Sequence, residues 1–558
     1  MGKILKIIIT LLLVGILAVI FIAPRLLNVD KIKHRIIQRI SKETNVSITT
    51  EAIAWKWLPV PHITFAKAQI TRQGIAINIP GVTIYPDWKT ILHKESDLTG
   101  KIILHSPHVT IREISALPES LLSGATAIPA GTLKIKDGTL TLDSAFFSET
   151  KKNGRISIES LDFTMDVTDQ WVNIKASASS DFCKNMTVNG HYDMKKKRFQ
   201  LNSDLQQLKL HEFIADIGEA TVSPLKSELN LQAHLEGSDI TDFKGSLKGD
   251  FPCVLYKPLD NQFLIKCGNG NVTFSRNGGR FSVDIKKLEL DDPSLFLSGK
   301  IGRELSQGPE KDLKPIWLID LTGKNIDVTS IRKALLILWP DNEIVKIVSD
   351  IVIAGRADWA NYYFHGPVED FKNIQDMKIK VDVASSRIHV PETILELDNA
   401  KGPIEIIDGM LTGKGLSCDY LDSHGENCSL LVQIREGGNA FYLDLDIDAD
   451  LANLPPVLED LVPDRDFQME LKKFKKVTGK ASGHLTIKDD LDDPNVFVTV
   501  NKIRSQVVYD RLSQPVEIYN GNLSVEPTNV SWNSLKSRIG KNTIHRTDGK
   551  RSWVRSPA

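Results

Sequence analysis

The stretch FYLDLDIDADL at residues 441–451 alternates apolar and acidic side chains. Successive side chains of an extended strand point to opposite faces, so this pattern predicts a strand with one apolar face and one wet face. A calcium loop of the EF-hand type would need Gly at its sixth position and Glu at its twelfth. The chain has Ala449 and Pro455 there. We therefore interpret the stretch as a β-strand whose aspartates face solvent.

The same alternation recurs from about Val46 to Val530. It is clear at residues 82–86, 101–114, 131–143, 154–167, 171–178, 279–290, 378–383, 483–488 and 496–500. The sequences KDG, RNGG, IDG and YNG between apolar runs suit tight hairpin turns. The sequence thus predicts antiparallel hairpins in series.

Few segments have the period of a helix. The clearest lies around residues 330–353, where IRKALLILW and EIVKIVSDIVI flank a break at Pro340. One helical pair cannot cover the apolar faces of so many strands. The sheets must then pack on each other as a sandwich or barrel, which the composition favours. The alternative is a long sheet curved into a gutter whose open apolar face holds acyl chains.

Composition excludes several classes of protein. The 558 residues carry 69 Lys and Arg against 70 Asp and Glu, and the net charge of -1 argues against nucleic acid as the main ligand. Five cysteines are too few for a disulfide-dense scaffold. Two cysteine pairs could each close a hairpin: Cys253 with Cys267, and Cys418 with Cys428.

Motifs for catalysis, cofactors and metals are missing from the sequence. It has neither a P-loop nor a GxSxG elbow. His211-Glu212 begins like a zinc-protease motif without its second histidine, and His105 and His108 lack an evident third ligand. The basic runs at 194–198 and 472–476 lie beside turns and are interpreted as solvated. We expect no catalytic residue, no cofactor and no metal site.

The amino-terminal end predicts a membrane anchor. Residues 7–23 form an uncharged run that is long enough, with Ile4 and Leu5, to cross a bilayer as a helix. A cleaved signal peptide would need small residues before the cut, and cleavage after Ala23 would place Phe21 at position -3. We assign residues 1–27 to an uncleaved transmembrane anchor.

A basic amphipathic helix is predicted next, over residues 28–45. Isoleucines lie on one side of this segment and basic residues lie mostly off it. We expect these residues to contact the membrane interface: Lys31, Lys33, Arg35, Arg39, Ile32, Ile36 and Ile40. The alternative is an ordinary helix that caps the next domain. Counted literally, the basic residues after the anchor would place the bulk of the chain in the cytoplasm.

The order of these segments resembles the AsmA-like proteins of Gram-negative bacteria. The resemblance begins with SKETNVSITTEAIAWKWLPVPHITFAKAQI (41–70) and GVTIYPDWKTILHKESDLTGKIILHSPHVTIREI (81–114). Its marker residues are Trp55, Trp57, Pro59, Pro61, Tyr85, Pro86, Pro107 and Val109. Residues 326–359 resemble the helical insert of longer members, and residues 451–463 and 477–500 resemble their proline turn and following strands.

The resemblance implies a mostly β fold: an N-terminal transmembrane helix, then an elongated, curved antiparallel β-sheet groove with a few amphipathic helices. It implies single-pass attachment to the inner membrane, with the bulk of the chain in the periplasm. It also implies that the groove binds phospholipid acyl chains for transport between the inner and outer membranes, without enzymatic activity and without nucleic acid. A protein partner at the outer membrane or elsewhere in the envelope is expected.

Two other functions stay open at this stage. The same strands could serve an anchored scaffold or assembly factor for outer-membrane proteins, through exposed sheet edges. An envelope enzyme is the third hypothesis, although no constellation of catalytic residues supports it.

The predicted organisation after the anchor and the amphipathic helix has four parts. Residues 46–325 form an N-terminal AsmA-like β-groove, 326–356 a helical insert, and 357–530 the continued groove. The alternation stops near Ser531. We therefore expect residues 531–558 to be a basic disordered tail or a truncated end.

Overall fold

A computed structural model gives the fold, and long strands dominate it. The structure describes residues 47–56, 58–72, 75–86, 100–111, 130–143, 155–209, 220–224, 228–239, 241–250, 254–258, 263–304, 315–340, 343–390, 393–434, 438–461, 465–490 and 494–552. The chain divides into two units, which are residues 1–260 with 269–278, and residues 261–268 with 279–558.

The first unit is built from strands β1 to β16. Their bounds are β1 (Ser47–Thr49), β2 (Ala52–Lys56), β3 (His62–Arg72), β4 (Ile75–Tyr85), β5 (Lys101–His105), β6 (His108–Ile111), β7 (Gly131–Asp143), β8 (Arg155–Val167), β9 (Trp171–Ser180), β10 (Cys183–Asp193), β11 (Arg198–Lys209), β12 (Ala220–Pro224), β13 (Glu228–Gly237), β14 (Asp242–Asp250), β15 (Val254–Pro258) and β16 (Phe263–Asn277). From β7 to β11 each strand pairs antiparallel with the next, and β13, β14 and residues 269–277 of β16 continue that sheet. Strands β12 and β15 pair with each other.

One connection departs from the predicted series of hairpins. Strands β5 and β6 lie along β4 and run parallel to β7, with Ile102 opposite Leu133 and Val109 opposite Leu140. A parallel pair needs a crossover of a dozen or more residues, and the segment between β6 and β7 is long enough to provide one. The prediction of antiparallel pairing is therefore wrong at this point, and it is confirmed for the other strand pairs named in this section.

The second unit continues with strands β17 to β30 and four helices. The strands are β17 (Arg280–Asp292), β18 (Ser294–Glu304), β19 (Ile316–Asp327), β20 (Val352–Pro367), β21 (Met377–His389), β22 (Glu396–Ile407), β23 (Met410–Tyr420), β24 (Ser423–Gln433), β25 (Ala440–Asp450), β26 (Phe474–Asp490), β27 (Pro494–Tyr509), β28 (Val516–Glu526), β29 (Asn529–Ile539) and β30 (Asn542–Ser552). Each pairs antiparallel with its successor.

The helices of the second unit lie between strands. They are α1 (Val328–Leu338), α2 (Glu343–Ile351), α3 (Leu454–Leu461) and α4 (Arg465–Leu471), with 3-10 turns at Val368–Lys372 and Leu451–Asn453. The Asp327 carboxylate caps α1 by accepting hydrogen bonds from the backbone N–H groups of Thr329 and Ser330. The two helices predicted around residues 330–353 are thus confirmed.

Buried apolar side chains form several small clusters and no single large core among the described residues. In the first unit, Ile156, Phe182 and Leu229 pack with Cys183 and Leu208. In the second unit, separate clusters form around Leu295, around Ile374 and around Leu451. A sheet that packed fully against a second layer would bury one continuous core.

Two of the predicted hairpin turns are bulges within strands. Strand β7 continues through the KDG sequence, where Asp137 has φ 52°, and β28 continues through YNG, where Gly521 has φ 153°. Turns and bulges both require residues that tolerate positive φ, so the local sequence could not separate them. The IDG sequence is a true turn, with Asp408 and Gly409 at positive φ between β22 and β23.

The prediction of a disordered tail is wrong for residues 531–552, because β29 and β30 form a hairpin that extends the sheet. Strand β30 is almost entirely exposed, so its residues did not need the apolar alternation that marks other strands. The Trp532 ring lies over Gly549, and the Asp548 carboxylate accepts a hydrogen bond from the Ser534 N–H. Backbone pairing and these contacts hold the hairpin.

The predicted anchor and the predicted interfacial helix lie outside the described residues. Among the residues that are described, no helix is long and apolar enough to cross a membrane.

We predict that the backbone amides of residues 530–551 exchange slowly in hydrogen–deuterium exchange of the full chain. Pairing of β29 with both of its neighbours protects its N–H groups, so β29 is expected to exchange more slowly than the edge strand β30. Complete exchange of both strands within the shortest labelling time would restore the interpretation of a disordered tail.

A second prediction concerns Gly479 of β26, which has φ 122°. A Cβ at this position would lie 2.1 Å from the Arg504 carbonyl oxygen. Gly415 in β23 also has positive φ, at 67°, but a Cβ there would meet nothing within 4 Å. Gly479→Ala should therefore cost more than about 2 kcal/mol in the free energy of unfolding, and Gly415→Ala about 1 kcal/mol. Urea denaturation measures both, and equal losses would contradict the close approach of Gly479 to the Arg504 backbone.

Candidate functional site

Across the sheet of the first unit, one face carries mainly apolar side chains and the other mainly polar ones. Directly paired residues on neighbouring strands project to the same face, so the register defines rows of side chains. One row contains apolar residues and glycines alone: Ile63, Ile84, Ile102, Leu133, Met165, Ile174, Gly190, Leu201, Leu235, Gly245 and Phe274. We name the face that carries this row the first apolar face.

The neighbouring row, one residue along each strand, projects to the opposite face and is polar apart from Ile103. It consists of Thr64, Thr83, Ile103, Lys134, Thr164, Lys175, Asn189, Asn202, His234, Ser246 and Thr273. The sheet therefore separates apolar from polar side chains strand by strand.

The second unit repeats this separation. Its apolar row runs from β18 to β27 through Leu297, Gly323, Ala360, Val381, Ile404, Gly413, Leu430, Leu443, Ile487 and Val496. The adjacent row on the opposite face is Ser298, Thr322, Asn361, Lys380, Glu405, Thr412, Leu431, Tyr442, Lys488 and Asn495. We name the face of the first row the second apolar face.

Apart from Ile63, which is buried, the large side chains of both apolar rows keep part of their surface exposed. Met165, Leu201, Leu443 and Ile487 are half-buried, and Val496 is 37% exposed. The facing layer of a sandwich would bury such central positions completely. The exposure of these rows therefore argues against the sandwich that composition favours, and it leaves an apolar surface with room for another molecule.

The sequence alone does not identify the residues that line the apolar faces. A bulge adds one residue to a strand, so after it the odd and even positions exchange faces. In β7, Ile135 and Gly138 are three residues apart and still pair with Phe163 and Leu161 on the first apolar face. Asp137 lies between them at positive φ and forms the bulge that accommodates the extra residue. The sequence does carry a signal of this bulge. The apolar residues of β7 occupy odd positions before Asp137 (Leu133 and Ile135) and even positions after it (Leu140 and Leu142).

The comparisons with known proteins bear on the N-terminal part of the chain. The model of the AsmA family matches residues 1–92. Over these residues the chain is similar to the AsmA family. The match confirms the resemblance noted in the sequence for residues 1–92, and it includes β1 to β4, where the first apolar face begins. No curated protein and no solved structure shows a significant match.

Outside the matched segment, helix α1 covers part of the second apolar face. Val328 and Ile331 of α1 pack against the cluster of Leu295, Ile326 and Ala357. Ala334, on the same side of the helix, is buried, and its small side chain lets the helix approach the sheet. Helices thus cover one portion of this apolar face.

The polar side of the second unit carries a hydrogen-bonded group centred on His484. Its Nδ1 lies 2.9 Å from Asp446 Oδ1 and its Nε2 lies 2.9 Å from Asp444 Oδ2. These bonds, led by the one to Asp446, raise the pKa of His484. Burial raises the pKa of Asp444, but hydrogen bonds donated by Thr486 and His484 outweigh this and lower it. The predicted acidic face of β25 is thus paired with β26 at its centre.

The remaining sequence hypotheses have mixed outcomes. The seven predicted membrane-interface residues between Lys31 and Ile40 lie outside the described residues. Cys418 and Cys428 are free thiols, and burial raises the pKa of both, that of Cys428 to about 11. The side chains of Cys253 and Cys267 lie outside the described part of the chain. In the described part, no group of His, Cys, Asp and Glu side chains could hold a metal ion.

We predict a pH dependence for the stabilisation by His484. Its folded pKa is raised above the ordinary 6.5, so the pair stabilises the fold fully below pH 6.5 and loses this effect as the pH rises through the folded pKa. The Tm difference between wild type and His484→Asn should therefore be larger at pH 6 than at pH 9. It should be small throughout, because the ring is 41% exposed and solvent screens the pair.

The matched control is His545→Asn, in the exposed strand β30. Its Tm difference should stay near zero at both pH values. A loss in His484→Asn that grows toward pH 9 would contradict the assigned ion pair.

Proposed function

We propose that this protein is a membrane-anchored envelope protein whose apolar sheet faces carry phospholipid acyl chains between the inner and outer membranes. The observation that carries the proposal is the pair of unbroken apolar rows, each across ten or more strands. The row on the opposite face is polar apart from Ile103 in the first unit and Leu431 in the second. The AsmA family, whose model matches the N-terminal 92 residues, is generally envelope-associated and supports the setting.

The free energy of acyl chains on such a face explains how they could move. Removing one methylene group from water stabilises by about 0.8 kcal/mol. Neighbouring strands are about 4.8 Å apart, so a row of ten strands extends about 45 Å along the sheet. Because the row offers apolar side chains or glycine at every strand, a chain that shifts by one strand exchanges one apolar contact for a similar one. The free-energy barrier for an acyl chain to slide along the face is then much lower than the barrier for it to leave the face and enter water.

The polar rows support the same function. Lysine, threonine and asparagine side chains on the opposite face keep that surface hydrated, so the sheet stays soluble while its other face binds lipid. No bond is made or broken in this process. We therefore propose a carrier without enzymatic activity, cofactor or metal.

The anchor and the compartment belong to the proposal. The predicted transmembrane segment within residues 1–27 would hold the chain at the inner membrane, and residues 28–45 would lie at the headgroups. The strands would then stand in the periplasm. A protein at the outer membrane is the expected partner, because transfer needs a receiving site at the far end.

The experiment that tests the proposal places a photo-crosslinker on either face of one strand. Ile487 and Lys488 are neighbours in β26, and they belong to the apolar row and the polar row respectively. In the full chain, produced in a Gram-negative host, Ile487→p-benzoylphenylalanine should give phospholipid adducts on irradiation. The matched variant Lys488→p-benzoylphenylalanine should give few or none. Mass spectrometry of the purified protein identifies the adducts.

Equal labelling at both positions would mean nonspecific contact with lipid. Protein adducts in place of lipid at Ile487 would favour the alternative, an anchored scaffold or assembly factor for outer-membrane proteins. In either case, acyl-chain binding on the apolar face would be abandoned.

A further inference from the structure

An aromatic cluster closes the second apolar face at one place in the second unit. The Phe371 ring lies 5.8 Å from that of Tyr362 and 5.5 Å from that of Phe364, both edge-on. The Trp339 ring, which directly follows α1, lies 6.4 Å from Phe371. Aromatic rings at these separations attract each other beyond their buried area. The cluster thus joins the end of α1 to the sheet through the 3-10 turn at 368–372.

Tyr362 and Phe364 belong to the apolar face that we propose binds lipid. In β20, Phe364 and Tyr362 pair with Met377 and Ile379 of β21, and Ile379 pairs with Ile406 of β22. Phe364 is fully buried. Side chains of the protein itself therefore occupy the apolar surface here, where acyl chains would otherwise lie.

Helices α1 and α2 form one hairpin over this region. The Arg332 Nε donates a hydrogen bond of 2.7 Å to the Ser349 carbonyl oxygen, which ties the two helices together. At its base, α1 is held by the Asp327 cap and by Val328 and Ile331, which pack on the cluster around Leu295. At its other end, the hairpin meets the sheet through Trp339 and Phe371.

The closed arrangement leaves one polar group unsatisfied. The Tyr362 hydroxyl is buried and has no hydrogen-bond partner among the described residues, and burial raises its pKa to about 12. An unpaired buried hydroxyl disfavours the closed state. Lifting the rings off Tyr362 would let the hydroxyl reach water or a lipid headgroup, so the closed and open arrangements are closer in free energy than packing alone would make them.

We infer that the α1–α2 hairpin is a lid on the second apolar face, held shut by Trp339 and Phe371, and that acyl chains reach β19 to β21 only when it lifts. This inference rests on the proposed function. In the region of the lid, Ala357 and Phe364 of β20 are buried, whereas Leu443 of β25 and Ile487 of β26 are half-exposed.

The test compares a covered with an open position in the full chain. With p-benzoylphenylalanine in place of Tyr362, phospholipid adducts should be scarce. Adding Phe371→Ala should raise them roughly threefold to tenfold, since the contact with Trp339 that holds the hairpin to the sheet is lost. Adducts at Ile487→p-benzoylphenylalanine should not change. Val368→Ala is the matched control, because Val368 lies in the same 3-10 turn and is 58% exposed.

Two lipid results would overturn the lid. Adducts at position 362 as frequent as at 487 without Phe371→Ala would mean that the face is already open. No increase with Phe371→Ala, and none with Trp339→Ala, would mean that the rings do not hold the hairpin.

A second measurement separates failure of the lid from failure of lipid binding. In the chain without a crosslinker, Phe371→Ala should speed hydrogen exchange of residues 328–351 and leave strands β24 to β27 unchanged. If lipid adducts are absent at both positions but this exchange pattern is seen, the result supports the lid and rejects the proposal that the apolar face carries lipid. If exchange rises everywhere, Phe371→Leu replaces Phe371→Ala as the milder variant, and unchanged exchange in the hairpin then rejects the lid.

Discussion

The register between neighbouring strands is the constraint on which the rest of this structure depends. Side chains alternate with a period of two, so a slip of one residue would move every apolar side chain of a strand to the polar face. In each unit the register holds over ten or more strands, and apolar rows stay apolar from one strand to the next. A single displaced strand would place lysines and aspartates within the apolar row.

Bulges preserve this alignment where strands must bend. Glu426 and Ser429 are three residues apart in β24, and they would face opposite sides of a regular strand. Asn427 between them adopts φ 55°, and both residues pair with aspartates on the polar face, Asp446 and Asp444. The strand thus gains one residue and changes its twist without exchanging its faces. Asp137 in β7 has the same role in the first unit.

The sequence predicted most of the strands and the α1–α2 pair, because alternation and helical period are local signals. It could not predict which residues line the apolar faces, since that depends on how bulges in adjacent strands match. The KDG and YNG sequences were misread as turns for the same reason. Positive φ is a local property, but whether the chain reverses afterwards depends on the partner strand. Strand β30 was missed because an exposed edge strand needs no apolar alternation.

The partial burial of the apolar rows and the position of the hairpin have one physical origin. A sheet with one apolar face must cover that face with protein, with another molecule, or with water at a cost in free energy. At β19 to β21 the chain supplies its own cover, and Phe364 and Ala357 are buried as in an ordinary core. On β25 and β26, Leu443 and Ile487 themselves stay half-exposed. Where the protein does not bury its own apolar surface, acyl chains would gain the most by doing so.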